Sequence, residues 1–246
     1  MHISDLQTEG FVDIHHHLIY GMDADGPQSF EETCAMLKAA HADGIAKIIA
    51  TPHAIPGIQA FPLDVYLTRM EEARAYCRQE DIQIEILTGA EILYTQMTTR
   101  YLQDKKIPTM ADTSYVLVEF PVGVAYGALV HAMKELLQSG YKPILAHVER
   151  YKCLLLRPRR AISLHEDLGV ALQMNCAALQ KRNFFVHRFS RRLFKKGAVD
   201  WVATDAHNTT TRSACMKATF ELLDKRYGKE CVGDLVGSDA NLFLTW

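Results

Sequence analysis

The chemistry-bearing residues of this chain begin with Phe11-Val12-Asp13-Ile14-His15-His16-His17, an apolar run that ends in three histidines. In an extended strand alternate side chains share a face, so His15 and His17 point one way and His16 the other. Two imidazoles about 7 Å apart at a strand end are placed to grip one metal ion. Residues of the same kind recur after later apolar runs: His53 in Thr51-Pro52-His53, Glu91 in Gly89-Ala90-Glu91, Glu119, His147, and both Asp205 and His207 in Asp205-Ala206-His207. The donors are all nitrogen and oxygen, with no cysteine beside them, so Mn2+, Fe2+ or Zn2+ fits better than a thiolate-bound metal. The loop after His17 adds Asp23 and Asp25 ahead of Gly26. With one of these two the set holds five His, two Asp and two Glu. That is too many side chains for one ion and enough for two or three. Four carboxylates against three divalent ions leave a positive centre, which attracts an anionic ester and makes a hydroxide nucleophile at neutral pH.

Two arginines stand close to these residues. Arg150 follows His147 in Ala146-His147-Val148-Glu149-Arg150-Tyr151, and Arg212 follows His207 by five positions. A guanidinium fork suits phosphate oxygens, and attachment to the loops of His147 and His207 favours that role over a solvated surface position. A thiol phosphatase is the competing chemistry, because Cys153 with Arg159 and Cys176 with Arg182 both satisfy a bare Cys-x5-Arg count. A phosphate cradle needs small, glycine-rich loops with converging N–H groups. Leu154-Leu155-Leu156 and Ala177-Ala178-Leu179 lack glycine, so both matches read as chance.

The elements that must position this set are legible as apolar runs. Seven strands are expected, at Phe11–His15, Ala46–Thr51, Ile84–Thr88, Tyr115–Glu119, Pro143–His147, Val170–Asn175 and Val199–Thr204. Their near-continuous apolar character and their alternation with helix-like stretches predict a parallel α/β fold covered on both faces. Six of the seven deliver a ligand-type residue at the C-terminal end, where parallel barrels build their sites; the sixth ends in Asn175, a hydrogen-bonding residue rather than a ligand. Ser29 with Glu32 forms a capping box for a helix stopping near Gly44, and Pro62 starts another. Leu129, Val130, Met133, Leu136 and Leu137 form an apolar stripe closed by Gly140. Leu164 and Leu168 precede Gly169, and Phe185, Phe189, Leu193 and Phe194 precede Gly197. The basic segment from Arg182 to Lys196 reads as a solvated helix face whose buried side is Phe185, Phe189 and Leu193. The remaining histidines, among them His2, His16, His41 and His165, read as structural or surface residues.

The 246 residues carry 48% hydrophobic and 23% charged side chains with a formal net charge of -2. That balance suits one globular α/β domain and gives no electrostatic reason to bind nucleic acid. No apolar run approaches a membrane span, and the polar Met1 to Gly10 lacks the order of a secretory signal. Six scattered cysteines without a Cys-x-x-Cys favour reduced thiols in a cytoplasmic protein.

The order Asp-x-His-x-His, Thr-Pro-His, Gly-Ala-Glu, Val-Glu-Phe, Ala-His-x-Glu-Arg-Tyr and Asp-Ala-His-Asn resembles the polymerase-and-histidinol-phosphatase (PHP) superfamily. More narrowly it is similar to the bacterial manganese-dependent protein-tyrosine phosphatases encoded with capsule and exopolysaccharide genes. The resemblance covers the chain from Asp13 to about Asn241 and makes residues 1–246 one PHP domain with its motifs between about 11 and 241. It implies a distorted (β/α)7 barrel with a trinuclear centre; the expected cofactor is two or three ions, preferentially Mn2+. The implied ligands are His15, His17, Asp25, His53, Glu91, Glu119, His147, Asp205 and His207, with Arg150 and Arg212 binding phosphate. The family pattern reads Asp-Asp-Gly where this chain has Asp23-Ala24-Asp25-Gly26; Asp25 keeps its spacing to the glycine and is chosen over Asp23. The implied substrate is phosphotyrosine on a tyrosine kinase that regulates polysaccharide export. The runner-up readings are a PHP phosphatase acting on a small ester such as histidinol phosphate, and a non-catalytic PHP binding module, against which the full ligand set argues.

Overall fold

A computed structural model of the chain describes residues 10–228. His2, Cys231 and the expected core between 229 and Asn241 lie outside the described residues. In chain order the elements are β1 (Phe11–His16), α1 (Phe30–Ala42), β2 (Ile45–Ala50), β3 (His53–Ala54), α2 (Leu63–Gln79), β4 (Glu85–Thr88), β5 (Glu91–Leu93) and α3 (Thr98–Gln103). Then come β6 (Tyr115–Glu119), α4 (Tyr126–Gln138), β7 (Lys142–Leu145), α5 (Lys152–Leu155), α6 (Pro158–Leu168), β8 (Ala171–Asn175), α7 (Cys176–Gln180), α8 (Phe184–Phe194), β9 (Trp201–Ala203) and α9 (Met216–Tyr227).

Every strand pairing is parallel. One sheet runs β1-β2-β4 and the other β3-β5-β6-β7-β8-β9. The expected second and third strands are each interrupted, with β3 continuing β2 after Pro52 and β5 continuing β4 after Gly89. The circuit returns to its start where Asp205 N–H donates to His15 O and His17 N–H donates to Ala206 O, at 2.8 and 2.9 Å. The result is a distorted seven-strand barrel. Between β4 and β6 a short turn, Met110–Asp112, fills the gap that direct strand pairing leaves open.

Two apolar clusters follow from strand alternation. Ile14, Ile49, Met110, Leu117, Ile144, Ala146, Trp201 and Ala203 fill the barrel interior. Their strand neighbours, such as Ile48, Val116, Val118, Leu145 and Val202, join the helices in the outer cluster. The interior stays apolar up to the strand ends, so it is a plug on which the polar site rests.

The helix punctuation holds in most places. Ser29 accepts from Glu32 N–H at the start of α1, although the Glu32 carboxylate turns back to Gln28 N–H. Gly169 closes α6 in the left-handed region, at φ 70°. One expectation fails. Phe185 is 55% exposed, and the buried side of α8 is Val186, Phe189, Leu193 and Phe194. Phe185 lies in the first turn, where its ring meets the still more exposed Phe184 edge-on rather than the core.

Gly89 joins β4 to β5 and thereby aims Glu91. A Cβ there would lie 2.6 Å from Ile49 Cγ2 and 3.1 Å from Met110 Sδ, inside the packed interior. Gly89→Ala is therefore expected to cost about 1–3 kcal/mol through overpacking. The check is thermal melting, with Tm falling by at least about 2 °C.

Candidate metal centre

The strand ends converge as the apolar runs require, and local backbone irregularity does the aiming. On β1, Val12 and Ile14 face the apolar interior, so strict alternation would send His16 after them. Between Asp13 and His16 the strand carries one more residue than β2 does opposite. This bulge re-aims His15 and His17 into the site. Asp13, fully buried, holds the bulge by accepting from Thr204 N–H at 3.0 Å, from the Thr204 hydroxyl, and from His15 N–H at 3.3 Å. Burial pushes its carboxyl up to about 6, against the lowering pull of those hydrogen bonds. His147 and Asp205 turn off their strands in the left-handed region, at φ 35° and 54°. Both conformations are costly for residues with a Cβ, and they concentrate at functional sites.

All nine residues expected as ligands meet at this end of the barrel. The ligand-type atoms form three groups: His15, His17, Glu91 and Asp205; His17, His53 and His207; and His53, Glu91 and Glu119. Each pair of groups shares one residue, so the three are contiguous. His15, His17, Glu91, Asp205, His147 and His207 are buried, whereas His53, Glu119 and Asp25 lie toward solvent and form the mouth. Glu91 is the hub. Its oxygens lie 3.3, 3.2, 3.1 and 2.7 Å from nitrogens of His15, His17, His53 and His147. His147 also lies 3.5 Å from Glu119.

The hydrogen bonds behind the rings decide which atoms face inward. Gln173 Oε1 accepts from His147 N–H at 2.8 Å, and its amide nitrogen donates to Asn175 Oδ1. The amide orientation is thereby fixed, and the His15 Nδ1 at 3.3 Å from the same Oε1 carries the proton. Asp23 Oδ2 accepts from His17 Nδ1–H at 2.9 Å, and the backbone oxygen of Asp205 accepts from His207 Nδ1–H at the same distance. For all three rings Nε2 is left with its lone pair directed into the centre. Two such lone pairs, on His15 and His17, face each other at 3.2 Å, with Glu91 Oε2 and Asp205 Oδ1 beside them. His207 Nε2 is buried and has no hydrogen-bond partner. Four acceptor atoms in mutual contact, plus an orphaned acceptor, fit cations and little else.

Without cations, protons take that place. Hydrogen bonds to Asp205, Asp23 and Glu91 outweigh burial and hold His17 well above the usual imidazole range. Burial likewise loses to Glu119 and Glu91 at His53, pushed up to about 10, and at His147, pushed up to about 9. Glu91 and Asp205 are held well below the carboxylate range, because His15 and its neighbours overcome their burial. His207 goes the other way, down to about 4, through burial and the nearby His17 and Arg212. At pH 7 His53 and His147 of the metal-free protein are thus protonated, and an arriving metal ion must displace those protons. Affinity is expected to weaken as pH falls and proton release to fade as pH rises past about 9 to 10. Titration calorimetry of Mn2+ in two buffers of different ionisation enthalpy checks this.

Asp23 and Asp25 separate by environment. Asp23 is buried, and both its oxygens are spoken for, one by the His17 ring and the other by His53 N–H at 2.8 Å. Asp25 is exposed at the mouth, 3.4 Å from the orphaned His207 Nε2 and 4.0 Å from His53 Nε2. The geometry therefore sets Asp25 at the mouth beside two of the imidazoles, with Arg212 as its ion-pair partner, and gives Asp23 the task of orienting His17. Asp23→Asn is expected to weaken metal binding by about 10–100-fold, the range for losing a carboxylate behind a ligating histidine; competition with a chelating dye measures it.

Both arginines reach the centre through one carboxylate. Arg150 Nη2 lies 2.5 Å from Asp205 Oδ2, and Arg212 Nη2 lies 2.8 Å from Asp205 Oδ1. Arg212 also pairs with Asp25 at 2.9 Å. Asn175, placed at the site as a hydrogen-bonding residue, donates to Asp205 Oδ2 at 2.7 Å. Gln173 and Asp13 were missed, as was the buried Glu149, whose carboxylate accepts from Asn175 N–H at 3.2 Å. Gln173 was readable, because it is polar in an apolar strand and two residues before Asn175, hence on the same face. The thiols stay out of it. Cys176 is buried against Met216, its thiol pushed well up by burial, and the described cysteines are all free.

Residues 11–245 match the sequence profile of the family described as capsular polysaccharide synthesis, CpsB/CapC. The tyrosine-protein phosphatase CpsB of Streptococcus pneumoniae is 30% identical over 230 residues, covering 91% of this chain and 94% of its own. The tyrosine-protein phosphatase YwqE of Bacillus subtilis is 30% identical over 222 residues, covering 89% and 86%. A solved structure from the work on YwqE and CpsB, there called unique metal-dependent tyrosine phosphatases, superposes with a TM-score of 0.81 at 30% identity, covering 90% of this chain and 89% of that one. Histidinol phosphate phosphatase from Lactococcus lactis shares the fold alone, with a TM-score of 0.55 at 15% identity, covering 89% and 94%. With the family profile matched over nearly its whole length and the fold superposing on that of these relatives, the chain belongs to the CpsB/CapC family of capsular polysaccharide synthesis.

Proposed function

We propose that this chain is a metal-dependent protein-tyrosine phosphatase, that Mn2+ is its preferred ion, and that its substrate is a phosphotyrosine-bearing bacterial tyrosine kinase governing polysaccharide export. The observation that carries the reading is the trio of contiguous donor groups beneath a mouth flanked by two arginines. The names of the CpsB and YwqE relatives support it. The proposed ligands are His15, His17, Asp25, His53, Glu91, Glu119, His147, Asp205 and His207. When bound, divalent ions supply Lewis-acid stabilisation of the phosphoryl group and a low-pKa water.

The protein's own residues do the rest. Arg150 and Arg212 are anchored on Asp205 with their guanidinium groups partly exposed, so they can meet phosphate oxygens without reorganising. Asp23, Gln173 and the Asp205 carbonyl hold three imidazoles in one tautomer. Among the described residues no side chain at the mouth is left over as a dedicated acid, since each carboxylate and imidazole there belongs to the proposed donor set. A phenol leaves near pKa 10, whereas an aliphatic alkoxide is several units more basic. A site without a separate acid therefore favours aryl esters. A phosphotyrosine peptide is expected to exceed a phosphoserine peptide and histidinol phosphate in kcat/KM by at least about 10²-fold. Assays of all three under one Mn2+ condition decide it; histidinol phosphate as the best substrate would overturn the tyrosine assignment.

A further inference from the structure

Helix α8 carries a charge distribution that the metal centre does not use. From Lys181 to Lys196 the chain holds seven Lys or Arg and no Asp or Glu, while the rest holds 20 Lys and Arg against 29 Asp and Glu. The positive charge is thus segregated onto one segment of an otherwise acidic protein. All seven side chains are exposed, and none makes an ion pair among the described residues. Phe184, Arg188, Arg191, Arg192 and Lys195 recur at helical spacing along a single face and line one shallow depression, about 16 Å long by the rise of the helix. At the N-terminal end of that face Phe184 and Phe185 are 70% and 55% exposed, with ring centroids 5.7 Å apart. The opposite face of α8 is fully committed to the core through Phe189 and Leu193.

Unpaired cations beside exposed aromatic rings match a surface that is anionic on top and apolar just beneath. A bilayer with acidic headgroups offers both in one plane and demands no groove. An acidic peptide would satisfy the arginines and leave the two rings in water. No described helix is long and apolar enough to cross a membrane, so the contact is peripheral. We propose that the exposed face of α8, with Phe184 and Phe185 as its apolar tip, is a docking surface for an anionic lipid bilayer. Helix α8 packs against the turn that carries Arg150, so a bilayer docked on its outer face lies one helix away from an element of the metal centre.

The test is co-sedimentation with vesicles of phosphatidylcholine alone and of phosphatidylcholine with about 30% phosphatidylserine, at low and high salt. The expected result is partition onto the anionic vesicles only, abolished at high salt. Arg188→Glu/Arg191→Glu/Arg192→Glu is expected to lower partition by at least about a hundredfold, and Phe184→Ser/Phe185→Ser by about tenfold or more. Both variants should keep the wild-type circular dichroism melt and the wild-type turnover of a small soluble aryl phosphate. Partition that ignores lipid charge, or that survives the triple reversal, overturns the proposal. So does tight binding of polyglutamate with no vesicle binding, which would assign the face to an acidic protein. The vesicle readout needs no phosphatase activity, so it stands apart from the proposed function.

Discussion

Glu91→Gln is expected to give a protein that binds metal poorly and turns over substrate at least about 10³-fold more slowly, the scale reached when one member of a unit is removed. The reason is geometric. Glu91 is buried and belongs to two of the three donor groups, and four imidazoles lie within 3.3 Å of its two oxygens. The amide keeps the shape and loses the charge, so the surrounding imidazoles and any ions face uncompensated repulsion. Metal content by elemental analysis and kcat/KM on a phosphotyrosine peptide should fall together. A surface control, His41→Ala, should change neither. If Glu91→Gln kept full metal and full turnover, Glu91 would not be the hub of the centre.

Arg150→Ala and Arg212→Ala are expected to behave differently, keeping their metal and losing about 10²–10³ in kcat/KM. Each arginine pairs with a different oxygen of Asp205, so either can be removed while the other still compensates that carboxylate. Both side chains are partly exposed at the mouth, where a phosphate would arrive. The loss should therefore fall on transition-state stabilisation rather than on the floor of the site. Metal loss in both variants would make the pair structural, and wild-type kcat/KM in both would leave them no part in catalysis.

The donor set was legible because each ligand-type residue sits where an apolar run stops. His147 and Glu119 could be placed at strand ends from Pro143 to His147 and Tyr115 to Glu119 without knowing how the strands pair. What the sequence concealed were features set by tertiary contact. The bulge that turns His15 and His17 inward depends on Thr204, which lies 191 positions from its partner Asp13. The break at Gly89 lies where the backbone passes close to Ile49 and Met110, a tertiary contact that no local pattern announces. Spacing to Gly26 favours Asp25 over Asp23 in the sequence, but the burial of Asp23 beside His17, which gives it an orienting role, is set by tertiary contact. Phe185 shows the converse error: its helical spacing to Phe189 suggests burial, yet in the first turn of α8 Val186 takes the core-facing position and Phe185 stays exposed.

The most direct test of the account is a Mn2+ titration of exhaustively chelated protein, with bound metal and phosphotyrosine-peptide turnover followed together. Stripped protein should be inactive. Activity should return as the contiguous donor groups fill, saturating at two or three ions per chain. Full turnover in metal-free protein would contradict the account outright.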